Sequence, residues 1–213
     1  MRGVALLSFC SRSRARMTTH EPLEALLRRS TCYAGIGSRN TPEAILFLIR
    51  SVAAVLADRG LVLRSGGSPG ADTAFEAGCD RSRGRKEVFL PWQGFNRNPS
   101  PLFEPTEEAE EVAALVHPHW RACRPSSRKL HARNVQQVYG RNMDTPVDFV
   151  LFWAREENGK VEGGTATAVH FAREMNIPTF NLWECATLER WKGIFCLHGP
   201  GKASFWSRFF IRR

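Results

Sequence analysis

Residues 31–70, TCYAGIGSRNTPEAILFLIRSVAAVLADRGLVLRSGGSPG, decide the fold. Cys32-Tyr33-Ala34-Gly35-Ile36 is a short apolar run ended by Gly37-Ser38, the pattern of a buried strand. Thr41 can cap the helix that follows, Pro42 suits its first turn, and Ile45, Leu48, Ile49, Val52 and Leu56 recur at helical spacing until Gly60 stops it. Leu61-Val62-Leu63 is then a second buried strand, which breaks into Ser65-Gly66-Gly67-Ser68-Pro69-Gly70 before another helix from Ala71 to about Cys79.

The alternation continues downstream. Glu87-Val88-Phe89-Leu90 reads as a third strand and residues 91–105 as a long loop, followed by an acidic helix near 106–116 and a basic one near 126–139. Asp148-Phe149-Val150-Leu151-Phe152-Trp153 is a fourth strand, Gly163-Gly164 opens a further helix, and Pro178-Thr179-Phe180-Asn181 is a fifth strand. Strands alternating with helices predict an α/β fold: a single Rossmann-like domain, mainly parallel sheet with helices on both faces. The predicted domain spans 31–183, between a basic N-terminal extension (1–30) and a basic, aromatic C-terminal tail (184–213), where the periodicity fades after Trp191.

The formal charge of +9 sits at the ends. Residues 1–20 carry four arginines and no acid, and from Arg190 onward there are six Lys/Arg and no acid, which leaves 21–189 with a net charge of −1. No uncharged apolar run approaches the length of a membrane span. Six cysteines without a Cys-x-x-Cys pair point to free thiols and a cytoplasmic location.

Three glycine-bearing turns, at Gly35-Ile36-Gly37-Ser38, Ser65 to Gly70 and Gly163-Gly164-Thr165, fall where a strand gives way to a helix. Each can aim backbone N–H groups at an anion, since glycine lets the backbone approach closely and a helix N-terminus favours negative charge. Ser38, Arg39, Ser65 and Thr165 add polar groups suited to phosphate or ribose. The candidate phosphate-binding set is therefore Gly35, Gly37, Ser38, Arg39, Ser65, Gly66, Gly67, Gly70, Asp72, Gly163, Gly164 and Thr165. Asp72 and Glu76, four apart, share one face of their helix. Gly67→Asp is expected to abolish nucleotide binding and spare the fold.

The stretches Tyr33 to Arg39, Leu63 to Asp72 and Glu162 to Ala168 resemble the DprA/Smf and LOG superfamily of Rossmann-like proteins, most closely the DprA-like proteins of phage and bacterial genomes. The resemblance implies a nucleotide or single-stranded DNA as partner and a place in DNA processing or recombination, and it leaves a homo-oligomer open. The LOG branch implies N-glycosidic hydrolysis, with a pair of glutamates after its glycine motif. Here those positions are Val169 and His170, so the resemblance favours binding over cleavage. A cleaving enzyme would use Asp72 or Glu76 as acid/base and Arg133 as anion clamp; a nucleotide-signal sensor is a third reading.

Six Lys/Arg and no acid fall between Val112 and Met143, and Lys129, Arg133 and Gln136 are spaced to share a face of the basic helix. Arg124, Lys129 and Arg133 are the candidate nucleic-acid contacts. His117-Pro118-His119-Trp120 has no further ligands at metal spacing and reads as a turn, so neither a metal nor a cofactor is expected.

Overall fold

Alternate residues of the first strand part to opposite sides of the sheet, and this sets the layers. In β1 (Cys32–Gly37), Tyr33 packs among the helices on one face, while Ala34 and Ile36 pack on the other. β4 (Phe149–Trp153) does the same, with Phe149, Leu151 and Trp153 on the first face and Val150 and Phe152 on the second. Both strands are buried on both faces and consist of apolar residues and glycine, which is why both read as continuous apolar runs. The computed structural model describes residues 22–198, the side chains of 195–198 excepted.

The described chain runs α1 (Leu23–Arg29), β1, α2 (Glu43–Asp58), β2 (Val62–Ser65), α3 (Ala71–Arg81), β3 (Lys86–Val88), α4 (Glu107–Val116), α5 (Pro125–Tyr139), β4, β5 (Glu156–Glu157), β6 (Lys160–Val161), α6 (Thr165–Glu174), β7 (Thr179–Asn181) and α7 (Cys185–His198). Five strands form one parallel sheet in the order β3-β2-β1-β4-β7, and β5 and β6 pair antiparallel as a separate hairpin. Helices α1, α2, α3 and α7 cover one face and α4, α5 and α6 the other. The predicted α/β sheet with helices on both faces is the observed one.

Strand order reverses between β1 and β4, so the chain leaving their carboxyl ends diverges and opens a crevice. Asp148 pins the other end of this pair, its carboxylate accepting the N–H of Thr31 (2.7 Å) and of Cys32 (3.2 Å). Across β2, Arg64 is buried, pairing with Glu87 at 2.6 Å and donating to the Thr145 carbonyl.

Four elements, α1, α7, β5 and β6, differ from the sequence reading. Helix α1 is only seven residues long, yet Leu23, Leu26 and Leu27 are buried in the core; Trp191 and Ile194 of α7 join the same cluster. The packed core thus takes in residues on either side of 31–183. β5 and β6 are two-residue strands of mostly charged residues and present no hydrophobic pattern. The charged segments 1–21 and 199–213 lie outside the described residues. Among the described residues no helix is long and apolar enough to cross a membrane, and Cys32, Cys79, Cys123 and Cys185 form no disulfide.

Candidate functional site

A cleft of about 530 Å³ opens at the carboxyl ends of β1 and β4, the size range of small-ligand sites. Its walls are the turn after β1 (Ile36 to Asn40), Ser68 and Asp72 of the second turn, one face of α5, and Glu162-Gly163-Gly164-Thr165 at the start of α6. All three glycine turns therefore reach one crevice at the switch point of the sheet. They do so unequally: Gly37, Ser38, Arg39, Asp72, Gly163, Gly164, Thr165 and Arg133 line it, whereas Gly35, Ser65, Gly66, Gly67, Gly70 and Glu76 lie behind it.

The glycines behind the cleft serve close packing. A Cβ on Gly35 would come within 2.6 Å of the Phe75 ring, and one on Gly70 within 2.6 Å of the Ser38 carbonyl and 2.8 Å of that of Arg39. Gly70, at φ 88°, lets the second turn lie directly on the first. Gly66 leaves room for the Arg133 guanidinium, which occupies the space a Cβ would need. Gly67 has φ 67°, and its Cβ would meet Leu90 at 2.8 Å, so Gly67→Asp would disturb the fold itself, contrary to the sequence expectation.

Two carboxylates occupy the amide donors of the first two turns. Asp72 accepts the Gly37 N–H (3.1 Å) and the Ser68 N–H (3.3 Å) and pairs with Arg133 (3.3 Å), with both side chains buried. Arg133 also donates to Ser68 Oγ at 3.1 Å and lies over the Phe95 ring. Burial raises the Asp72 carboxyl from its ordinary value, opposed by Arg133 and the two amides. Glu76 accepts the Gly67 N–H (2.9 Å) and the Asn98 amide (3.0 Å). These turns thus hold an internal anion, and Asp72 ties β1, the second turn and α5 into one unit.

Burial first, and Asp72 second, raise the Glu76 carboxyl above its ordinary 4.5. The native state then keeps this proton to higher pH than the unfolded chain does, so the group's contribution to stability falls as pH rises from 4.5 through the native value. Glu76→Gln lacks that slope and is expected to gain on wild type across this window in denaturation curves measured from about pH 4 to about pH 8. A stability difference independent of pH would refute it.

The start of α6 differs from the other two turns. The first N–H groups of a helix have no intrahelical acceptor, and a Cβ built on Gly163 or Gly164 meets nothing within 4 Å, so the backbone here faces open space. Asn134 holds the turn from below, donating to the Gly164 carbonyl at 2.7 Å, and His131 is bonded through Nδ1 to Thr167 Oγ1 at 2.8 Å. Gln137 lines the cleft almost fully buried, and its Nε2 has no hydrogen-bond partner.

The basic helix is used otherwise than its charge pattern suggests. Arg133 and Gln136 are buried, and Lys129 pairs with Glu104 at 3.1 Å on the surface. Arg124 is the N-cap residue of α5 and does not line the cleft. The three candidate nucleic-acid contacts do not form one face. The face toward the cleft is Ser127, Leu130, His131, Asn134 and Gln137, whose i, i+3, i+4 spacing was visible in the sequence but carries little charge. Glu162 and Asn40 also line the cleft and were not candidates. The fold further brings together His117, Cys123 and His131, for which sequence spacing gave no signal: one potential ligand atom from each lies within 4.8 Å of the others.

No protein-family model matches the chain, and no curated protein matches it. Among solved structures its fold is similar to that of DNA processing protein A from Helicobacter pylori, described for a unique single-stranded DNA binding mode, with a TM-score of 0.49 and 16% identity over 77% of this chain and 74% of that one. It is also similar to DNA processing protein A (DprA) from Streptococcus pneumoniae, with a TM-score of 0.46 and 17% identity over 73% of this chain and 51% of that one. The chain thus spans about half the length of the streptococcal protein. The likeness is one of fold, at low sequence identity.

Proposed function

We propose that the chain binds a nucleotide through its phosphate at the N-terminus of α6. The observation that carries this reading is the open Gly163-Gly164-Thr165 turn, which starts a ten-residue helix in the wall of a nucleotide-sized cleft. Arg39, exposed in the cleft wall, supplies a charge for a second phosphate oxygen, and the buried Gln137 amide supplies a donor for ribose or base. Of the glycine motifs that resemble the DprA/LOG superfamily, Gly37, Gly163 and Gly164 fall on the same walls. Cleavage by Asp72 or Glu76 would need groups that are held by buried partners, and Glu76 lies outside the cleft.

Gly164→Asp tests the proposal cleanly. Gly164 has helical φ/ψ and open space beside it, and exchanging glycine for aspartate at a helix N-cap changes stability by only a few tenths of a kcal/mol, on the order of 0.3, so the fold is spared. The same carboxylate competes with phosphate for the first-turn amides. Calorimetry with 5′-AMP is expected to show affinity lowered by roughly tenfold or more, the equivalent of about 1.4 kcal/mol. Equal affinity in the two proteins would defeat the proposal. With an oligothymidylate, a fall of log affinity with log salt of about 0.7 per contacted phosphate would extend the site to a strand. Binding of the mononucleotide with no shift of the oligonucleotide at low salt would restrict it to the free nucleotide.

A further inference from the structure

The turn that follows α4 places His117 beside the cleft, and a short helical turn at Trp120–Ala122 brings Cys123 back toward it. Cys123 Sγ lies 3.8 Å from His117 Nδ1, and the His117 and His131 rings are 4.2 Å apart between centroids. Two ligands of one tetrahedral zinc, with Zn–S near 2.3 Å and Zn–N near 2.0 Å, stand about 3.5 Å apart, so the Cys123–His117 separation is close to that of a coordination shell, and one potential ligand atom from each of the three residues lies within 4.8 Å of the others. All three side chains are half-buried. We propose that His117, Cys123 and His131 form a three-ligand site for a divalent cation of the zinc class, with its remaining coordination position toward the cleft.

The donor set selects the cation. One thiolate and two imidazoles suit zinc and exclude magnesium and calcium, which take oxygen ligands. Three protein ligands with a fourth position left for water or substrate is the arrangement of reactive zinc, whereas purely structural zinc takes four. The orientation follows from the walls: His117 and His131 line the cleft and Cys123 does not, so the thiolate closes the site from behind. Support behind His131 is already in place. Thr167 holds its Nδ1 at 2.8 Å, which leaves Nε2 for the metal, the kind of outer partner that fixes a ligating imidazole. His117 Nδ1 also accepts the His119 N–H at 3.2 Å, and a cation bound through that nitrogen replaces this hydrogen bond. Binding releases the Cys123 proton to solvent.

The inference is independent of nucleotide binding and is tested without it. The full chain, stripped with a chelator, is titrated with Co²⁺. One equivalent is expected to produce the visible bands of four-coordinate cobalt together with a thiolate-to-cobalt charge-transfer band, and Zn²⁺ should bleach both with the same stoichiometry. Cys123→Ser should lose the charge-transfer band, and Cys185→Ser, at an exposed cysteine, should keep it. Thr167→Val should weaken binding by roughly ten- to a hundredfold while leaving the band's position unchanged. Absence of a thiolate band in the wild-type chain overturns the proposal without recourse to any variant. Survival of the band in Cys123→Ser overturns it as well, since another cysteine would then be the ligand.

Discussion

Asp72→Ala is expected to destabilise the protein by about 3–5 kcal/mol, the usual consequence of removing one partner from a buried ion pair. Three donors lose their acceptor at once: the Gly37 and Ser68 amides and the Arg133 guanidinium. Arg133 cannot neutralise itself by giving up its proton, and its charge is left in the interior. Arg133→Met should be milder, about 1–3 kcal/mol, because the carboxyl left behind can take up a proton and two amides still bond to it. Urea denaturation of the two single variants and the double variant gives the coupling. Additive losses would show that the pair does not act as a unit.

Gly70→Ala is expected to cost about 3 kcal/mol or more. At φ 88° and ψ −123° the backbone occupies a region that is essentially glycine's own, and holding alanine in it costs of order 1–3 kcal/mol before any clash is counted. The added methyl also meets the Ser38 and Arg39 carbonyls, so the turn bearing those residues must move away from the second turn. Binding of 5′-AMP should fall along with the melting temperature in this variant, whereas Gly164→Asp lowers binding alone. A Gly70→Ala protein that melts like wild type would mean that the two turns do not rest on each other in solution.

The sheet was legible because its strands are buried on both faces. Runs such as Phe149-Val150-Leu151-Phe152-Trp153 have no polar residue to misplace them, and the helix after β1 keeps a clean apolar stripe from Ile45 to Leu56. The short α1 and the β5–β6 hairpin were not legible, since seven residues give barely two turns and Glu156-Glu157 has no apolar side to read. The meeting of the three glycine turns at one crevice followed from the βα pattern. What each glycine does there did not. Gly35 and Gly70 are small so that protein can approach protein, which sequence cannot distinguish from room for a ligand. Lys129, Arg133 and Gln136 misled in another way: their spacing is that of a shared face, but Arg133 turns inward because Asp72, far away in the chain, waits there with a buried carboxylate. The meeting of His117, Cys123 and His131 depends on how α4 packs on α5, and no local spacing encodes that.

Arg133 fills the volume that a side chain at position 66 would require, and this has a consequence for related sequences. Positions 66 and 133 should behave as one unit of variation: a homologue with alanine or serine at 66 should carry a shorter residue at 133, and with it a neutral residue at 72, while a long cation at 133 should occur only beside glycine. The three sites would then change together in such sequences, although they belong to three different parts of the fold.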